Sequence, residues 1–251
     1  MDRDDPAWRG QRDYTPSVLR LYDPFVLGFA ARFVWRCPTS RLVDGYREHI
    51  RDRHLDVGPG TGYFVDKAGL PAGSRVTLLD PNPNVLAHAA RRLRHLDVTT
   101  VEADVLKPLA VDPPFDSAAL HLVFHCLPGP LTRKAAAIEH IATVLAPTGV
   151  FFGASVLGTT GRHTWLARRY LAAFNRQGGF DNLDDTEDGI RGVLAASFEH
   201  VELDVVGSIA VFSATGPRSL HGGSIVPPHP GPIVGASGTN PPPATDDRRT
   251  T

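Results

Sequence analysis

The chain has 251 residues, of which 42% are hydrophobic and 21% charged, and its formal net charge is -1. This composition is typical of a globular protein with one sizeable domain, and the near-zero charge excludes the overall basic surface of a typical nucleic-acid binder. The two cysteines, Cys37 and Cys126, are too far apart for a CxxC metal or redox site and too few for a disulfide framework. A charged first segment and the lack of any run of about 18 apolar residues predict a cytoplasmic protein without a signal peptide or a membrane span.

Composition divides the chain into four segments. Residues 1–20 are polar and predict a flexible arm, and residues 21–52 predict a helical cover. Residues 53–215 carry the regular strand and helix pattern of the main domain. Residues 216–251 are rich in proline, glycine and serine and lack aromatic side chains. They predict a disordered tail, because little apolar surface can be buried there to offset the entropy of ordering.

The cover contains two predicted helices. The apolar segment 23–35 has the composition of a helix that packs against a core, and Pro38 ends it. Thr39 or Ser40 is predicted to cap a second helix that continues to about Ile50.

Strands and helices then alternate along the chain. The predicted strands are 53–57, 75–80, 98–104, 115–125 and 150–158, and the helices between them are 62–68, 83–96 and 132–146. The last predicted elements are a helix over 165–176, an acidic turn at 182–189 that opens a helix to about Ala196, and a tight hairpin of strands 198–206 and 208–216. This order predicts an α/β fold: a doubly wound, seven-stranded, mostly parallel sheet with a final antiparallel hairpin strand and helices on both faces.

The segment LDVGPGTGYF carries the first signal of a binding site. Asp56 ends the first predicted strand, and Gly58, Gly60 and Gly62 follow in the turn into a helix. Glycine permits a sharp turn and lets a ligand lie against the backbone without a Cβ clash. The N–H groups at the start of the helix favour an anionic group such as a carboxylate.

Two further acids end the next two predicted strands. Asp80 follows the glycine turn by about twenty residues, where an acidic side chain can accept both hydroxyls of a ribose. Asp104 ends the third strand and is able to face the amino group of an adenine. Because ligands of open α/β sheets bind at the carboxyl ends of the strands, these acids predict a pocket for a nucleoside with a cationic part.

The loop also distinguishes between nucleoside cofactors. A nicotinamide or flavin dinucleotide site should read GxGxxG or end in alanine, whereas Tyr63 occupies the last position here. A bulky ring at this position obstructs helix–strand packing and the approach of a diphosphate. No GxxxxGK[ST] segment occurs in the sequence, so a phosphate-binding P-loop is excluded as well.

Together these motifs resemble the class I S-adenosylmethionine-dependent methyltransferases of small-molecule type, over about residues 53–215. The matching motifs, in chain order, are LDVGPGTG, LLDPNPNVLAHA, EADV, FHCLPG and the closing hairpin. The resemblance implies a Rossmann-like fold and S-adenosyl-L-methionine as the cofactor. The implied cofactor contacts are Asp56, Gly58, Gly60 and Gly62 near the methionine part, Asp80 and Pro81 near the ribose, Asp104 and Val105 near the adenine, and His125 near the sulfonium.

Two histidines lie on the fourth predicted strand. His121 and His125 are four residues apart and are therefore expected on one face of it. His121 is interpreted as a hydrogen-bonded core histidine, whereas His125 reaches the ligand edge and is the candidate catalytic base or a wall of the cofactor site. Cys126 stands where the family often has a second histidine, so no catalytic device of two histidines is assumed. Asp116 begins the strand at the opposite edge and is interpreted as a solvated strand end.

The candidate substrate residues come from two places. Tyr22, Trp35 and Arg36 belong to the cover, which either closes the pocket or simply packs on the sheet, and His163 follows the fifth strand, where substrate loops often lie in such folds. The acidic segment 182–189 lacks the spacing of a calcium loop and is interpreted as turn and helix-cap chemistry, so no metal is expected.

The sequence thus predicts a methyltransferase that moves a methyl group to an oxygen or nitrogen of a small, partly apolar metabolite by in-line displacement. The neutral charge, and FHCLPG in place of an Asn/Asp-Pro-Pro-Tyr sequence, disfavour nucleic-acid and amide acceptors. Two alternatives stay open: a nicotinamide-dependent oxidoreductase on a Rossmann fold, against which Tyr63 argues, and a non-catalytic module that binds S-adenosylmethionine. The oligomeric state is left open.

Overall fold

The computed structural model describes residues 23–218, with side chains from Leu27 onward. The predicted arm, the candidate substrate residue Tyr22 and the predicted tail beyond Arg218 lie outside the described residues. Within residues 23–218, no helix is both long and apolar enough to cross a membrane.

The described part of the chain alternates between strands and helices. The strands are β1 (Arg53–Val57), β2 (Arg75–Asp80), β3 (Asp97–Glu102), β4 (Phe115–His121), β5 (Leu145–Val156), β6 (Phe198–Val206) and β7 (Ile209–Pro217). The α-helices are α1 (Thr39–His49), α2 (Tyr63–Ala68), α3 (Pro83–Arg92), α4 (Leu131–Val144), α5 (Trp165–Gln177) and α6 (Glu187–Ser197). A π-helix spans Asp23–Val34 and a 3-10 helix spans Phe124–Cys126.

The seven strands form one sheet in the order β3-β2-β1-β4-β5-β7-β6. The pairs from β3 to β5 are parallel, and β7 runs antiparallel to both β5 and β6. The predicted fold class is confirmed, and β1 and β2 have the predicted bounds. Strand β7 continues to Pro217, two residues into the range that the sequence assigns to the tail.

Helices cover the sheet on both faces, and each face has its own apolar core. On one face α4 and α6 supply fully buried aliphatic side chains: Ile138, Ile141, Ile190 and Leu194. On the other face the π-helix, α1, α2 and α3 supply another set: Val34, Leu42, Val65 and Ala89. Each large aliphatic side chain that is buried in this way stabilises the folded protein by about 1.5–3 kcal/mol. The two cores together hold the carboxyl ends of the parallel strands at one edge of the sheet.

Strand β4 is shorter than predicted, because it ends at His121 and not at residue 125. Leu122 has a φ of 58° and Val123 adopts a right-handed helical conformation, so the chain leaves the sheet and enters the 3-10 helix. His125 therefore does not share a strand with His121, and the prediction that the two histidines point to the same strand face is wrong.

Strand β3 also ends earlier than predicted. Its last residue, Glu102, pairs with Asp80, the last residue of β2, so no partner strand is left for a longer β3. Asp104 consequently lies in the loop two residues beyond the strand, and not at its end.

Helix α3 begins as predicted but ends sooner. The Asn82 side chain accepts a hydrogen bond from the Asn84 N–H at 3.0 Å, and Pro83 occupies the first helical position, where no N–H is needed. The helix ends at Arg92, before the predicted residue 96. The capped start of α3 fixes the backbone conformation directly after Asp80.

Helix α1 lacks the side-chain cap that the sequence predicts. Pro38 is its N-cap residue, and no side chain caps the helix. The Thr39 hydroxyl instead donates a hydrogen bond to the Leu27 carbonyl oxygen, and Ser40 is exposed. Thr39 thus joins the two helices of the cover to each other.

Candidate active site

The loop between β1 and α2 turns on three glycines. Gly58, Gly60 and Gly62 have φ values of 68°, 55° and 74°, which L-residues with a side chain rarely adopt. The Gly58 N–H donates a hydrogen bond to the Leu79 carbonyl oxygen at 2.8 Å. That bond holds the loop beside the carboxyl end of β2.

The three glycines differ in what surrounds them. A Cβ on Gly58 would lie 2.3 Å from Val123 Cγ2, and a Cβ on Gly62 would lie 3.3 Å from Ala89. A Cβ on Gly60 would meet no heavy atom of the described residues within 4 Å, apart from its chain neighbours. Packing within the chain thus requires glycine at position 58 and leaves only a tight space at Gly62, whereas Gly60 faces open space, as expected of backbone against which a ligand lies.

Two acids from neighbouring strands are buried at this edge. Asp56 is 2% exposed and accepts a hydrogen bond from the Tyr46 hydroxyl at 2.8 Å. Asp80 is 3% exposed and accepts one from the Asn82 N–H at 2.8 Å. Burial raises the pKa of each carboxyl group to about 7, and the charge of Asp56 adds to the upward shift at Asp80. Because nearby positive charge favours the ionised form of a buried carboxyl group, this edge suits a ligand with a cationic part.

The residues expected near an adenine lie just beyond β3. Asp104 is partly buried and accepts a hydrogen bond from the Leu106 N–H at 2.9 Å, and Val105 is buried. Pro81, partly buried, directly follows Asp80. These residues therefore surround the carboxyl ends of β2 and β3.

His125 is buried in the 3-10 helix. Its Nδ1 accepts a hydrogen bond from the Val156 N–H at 3.2 Å, so the neutral ring carries its proton on Nε2. Burial, with a smaller contribution from the Lys134 charge, lowers its pKa to about 3. Its ring stands edge-on to Phe180, with centroids 4.4 Å apart. These contacts favour a wall of the site over a catalytic base.

Two of the candidate substrate residues, Trp35 and His163, lie together. Their ring centroids are 6.4 Å apart, and Trp35 lies 6.1 Å from Phe180, which also contacts His125. We refer to Trp35, His125, His163 and Phe180 as the aromatic cluster. Arg36, by contrast, is exposed.

A buried ion pair holds the loop that carries Phe180. Lys134 is fully buried, and its Nζ donates hydrogen bonds to the Asp185 carboxylate at 2.7 Å and to the Asp181 carbonyl oxygen at 2.5 Å. The Asp181 N–H in turn donates to the His125 carbonyl oxygen at 2.9 Å. Helix α4 thereby fixes Phe180 against His125.

Sequence reasoning missed both Phe180 and Lys134. A signal for the lysine was available, because Lys134 lies on the same helical face as Ala137, Ile138 and Ile141, all of which are buried. A charged side chain on the apolar face of a helix requires a buried partner. The identity of that partner could not be read from the helix.

His121 is a core histidine, as predicted, but it lacks the expected hydrogen bonds. Within residues 27–218 neither of its ring nitrogens has a partner. Burial lowers its pKa to about 3, so the ring is neutral, and it packs edge-on against Tyr46 with centroids 4.8 Å apart. The ring therefore contributes as an aromatic side chain.

Two other acidic positions make hydrogen bonds at strand and helix ends. Asp116 lies at the amino edge of the sheet, where its carboxylate accepts a hydrogen bond from the Arg53 N–H at 3.1 Å. In the acidic segment, the Thr186 hydroxyl caps α6 by accepting a hydrogen bond from the Gly189 N–H at 2.9 Å. Across the described chain, no group of three or more His, Cys, Asp or Glu side chains is arranged to hold a metal ion.

A doubly wound sheet whose glycine loop and buried acids meet at the carboxyl edge defines a nucleoside-binding α/β domain. Residues 55–151 match a family model described as a methyltransferase domain. The chain is 38% identical over 207 residues to demethylluteothin O-methyltransferase of Streptomyces thioluteus, a match that covers 82% of this chain and 90% of that protein. It is 38% identical over 219 residues to the physcion biosynthesis cluster O-methyltransferase of Aspergillus chevalieri, covering 85% of this chain and 97% of that one.

Solved structures show the same fold. The crystal structure of the N-methyltransferase NodS from Bradyrhizobium japonicum WM9, in complex with S-adenosyl-L-homocysteine, matches with a TM-score of 0.59 at 19% identity. The match covers 86% of this chain and 100% of that chain. The protein therefore belongs to the class I S-adenosylmethionine-dependent methyltransferases, and S-adenosylmethionine is its cofactor. This reading is supported over an oxidoreductase and over a non-catalytic binding module.

Proposed function

We propose that the protein transfers the methyl group of S-adenosylmethionine to an oxygen atom of a small, partly apolar molecule. The aromatic cluster carries this proposal, because its rings suit an apolar acceptor better than a charged polymer. Both relatives described above are named as O-methyltransferases, one of them of demethylluteothin, which supports oxygen as the accepting atom. The net charge of -1 gives no support to a polyanionic acceptor.

The proposed cofactor contacts follow the carboxyl edge of the sheet. Asp80 accepts hydrogen bonds from the ribose hydroxyls. The glycine loop lies under the methionine part, and the start of the loop after β3 faces the adenine. The open space at Gly60 and the buried carboxylate of Asp80 support these contacts. The raised pKa of Asp80, about 7, supports a cationic ligand, whose charge favours the ionised carboxylate.

The reaction depends on positioning more than on proton transfer. S-adenosylmethionine supplies a methyl carbon on a positively charged sulfur, so that a C–O bond forms as the C–S bond breaks and a neutral thioether leaves. The chain holds the acceptor in line and excludes water, and such orientation contributes up to about 10 kcal/mol in well-aligned reactions. His125 is not assigned the acceptor proton, because its Nδ1 already accepts the Val156 N–H and burial lowers its pKa to about 3. The proton is released to bulk water when the product leaves the closed site.

Calorimetric titration with S-adenosylmethionine tests the cofactor contacts. Asp80→Ala is expected to weaken binding about 10- to 150-fold, as typical of lost hydrogen bonds to a charged group. Asp97→Ala is the matched control, because it removes an exposed acid from the opposite end of β3. Unchanged affinity in the Asp80 variant, or an equal loss in both variants, would contradict the proposed site.

Transfer of a ¹³C-labelled methyl group tests the acceptor. The protein is incubated with labelled cofactor and, separately, a small-molecule extract, total RNA or a protein fraction. A labelled small product whose NMR shift is that of an O-methyl group supports the proposal, whereas label confined to RNA or protein contradicts it. The proposed location is the cytoplasm, as expected from the sequence, and detection of the protein in fractionated cells tests that part.

A further inference from the structure

Helix α1 contributes a tyrosine to the cofactor edge that no sequence motif predicts. Tyr46 is 1% exposed, and its hydroxyl donates a hydrogen bond to Asp56 Oδ1 at 2.8 Å. The two residues belong to different elements, since Tyr46 lies in the cover and Asp56 near the end of β1. Helix α1 therefore contacts a carboxylate that the motif resemblance assigns to the methionine part of the cofactor.

The ring of Tyr46 is held from several sides. It stacks on Phe64 with centroids 5.4 Å apart and an interplanar angle of 10°, and Phe64 lies in α2, directly after the glycine loop. The rings of His121 and Phe152 stand edge-on to it, at 4.8 and 5.0 Å. A tyrosine packed in this way has little freedom, so its hydroxyl sets the direction of the Asp56 carboxylate.

We infer that Tyr46 is a positioning residue for cofactor binding: it fixes the Asp56 carboxylate and ties the cover to the glycine loop through Phe64. This inference rests on the proposed cofactor contacts, because it assumes that Asp56 acts on the methionine part of S-adenosylmethionine. The hydroxyl donates a hydrogen bond to the ionised form of Asp56. The ring, by stacking on Phe64, fixes the position of α1 relative to the glycine loop.

The charges around Asp56 allow a test that distinguishes an effect of Tyr46 on the Asp56 carboxylate from an effect of ring packing alone. The described titratable groups that act on Asp56 are Tyr46 from α1 and Asp80 from β2, and His54 from β1 and His121 from β4 pack against the ring of Tyr46. Burial lowers the pKa of both histidines to about 3, so they stay neutral, and it raises the pKa of Tyr46, which stays protonated. Loss of the Tyr46 donor therefore raises the pKa of Asp56 further, and no neighbouring cation compensates.

Tyr46→Phe keeps the stacked ring and removes only the hydroxyl. We expect it to weaken S-adenosylmethionine binding about 5- to 20-fold at pH 6.5, less than the roughly 10- to 150-fold typical of a lost hydrogen bond to a charged group, because Tyr46 acts on the cofactor only through Asp56. The loss should be smaller at pH 8.5, because a larger share of Asp56 is ionised there. Tyr170→Phe is the matched control, since it makes the same change on α5, beside Phe174.

Asp56→Ala, which removes the acceptor of the Tyr46 hydroxyl, completes a double-mutant cycle. If Tyr46 acts through Asp56, Tyr46→Phe causes no further loss of affinity in the Asp56→Ala background. A loss that is additive with Asp56→Ala, or equal at pH 6.5 and 8.5, or unaltered affinity in Tyr46→Phe, would overturn the inference. Failure of the proposed cofactor site looks different, because Asp80→Ala would then bind as tightly as the wild-type protein.

Discussion

The two halves of the carboxyl edge are held in different ways. On the side of β1 and β2, Asp80 is fixed by the Asn82 N–H two residues away, and the glycine loop by the Leu79 carbonyl oxygen of the neighbouring strand. On the side of β4 and β5, Phe180 depends on Lys134, whose partner Asp185 is 51 residues away in the chain. The first half depends mainly on a turn motif and the strand beside it, whereas the second depends on a buried ion pair between residues far apart in the chain.

This difference suits the two ligands of a methyltransferase. The cofactor is the same in every member of the class, so a rigid turn with few adjustable parts serves it. We propose that the acceptor lies against the aromatic cluster, whose position depends on loops that α4 holds from a distance. Changes in those loops can therefore alter acceptor choice without disturbing the cofactor loop, and the two halves should respond differently to mutation.

The largest expected effect is on the long-range half. Lys134→Met removes one member of a buried ion pair and leaves Asp185 without its cation, which is expected to reduce the free energy of unfolding by about 3–5 kcal/mol. Urea denaturation of the purified protein measures this. Lys107→Met is the control, because the Lys107 side chain is 63% exposed. A loss under about 1 kcal/mol would show that the pair does not hold the loop.

The loss of stability in Lys134→Met should depend on pH. Burial raises the pKa of Asp185, and Lys134 opposes that shift, so the variant raises this pKa further. A folded carboxyl group with a raised pKa destabilises the protein once the pH is high enough to ionise it. The deficit of Lys134→Met should therefore be smaller at pH 5 than at pH 8, and an equal deficit at both would contradict the assignment.

Two glycine-to-alanine substitutions test the local half, and both place an alanine at a positive φ. Gly58→Ala should cost about 2–4 kcal/mol, because positive φ is combined with a clash of the new Cβ with Val123. Gly60→Ala has the strain without the clash and should cost only about 1–2 kcal/mol. Its main effect should be weaker binding of S-adenosylmethionine, measured by calorimetry. Unchanged affinity in Gly60→Ala would show that the cofactor does not lie against this backbone.

The local half could be predicted closely from the sequence. Patterns within a few residues predict the bounds of β1 and β2, the glycine turn, and the positions of Asp56 and Asp80 near the ends of these strands. The long-range half could not, since β4 ends at a positive φ on Leu122 that no turn residue signals. The pairs Tyr46–Asp56 and Lys134–Asp185 could not be predicted either, because the two residues of each pair lie in different elements and meet only after folding.

Acid–base behaviour gives a graded difference, whose size depends on the pH. The unfolded Asp56 ionises near 3.8 and the folded one at about 7, so between these values folding takes up a proton and stability falls as pH rises. Asp56→Asn keeps an acceptor for Tyr46 but cannot ionise. Relative to the wild-type protein it should gain up to about 1.4 kcal/mol per pH unit across this range. A stability difference that does not change with pH would show that the Asp56 pKa is not raised.

The smallest expected effect is at His125, in the half beside β4 and β5. In Asn, Oδ1 occupies the place of Nδ1, so His125→Asn can still accept the Val156 N–H, and we expect kcat to fall less than about tenfold because no proton transfer is lost. His125→Ala leaves that N–H buried without its acceptor and should cost about 1–3 kcal/mol of stability. A general base would behave otherwise: its loss typically lowers the rate about 10²- to 10⁴-fold. A fall of that size in His125→Asn, at unchanged stability, would therefore restore the histidine to a catalytic role.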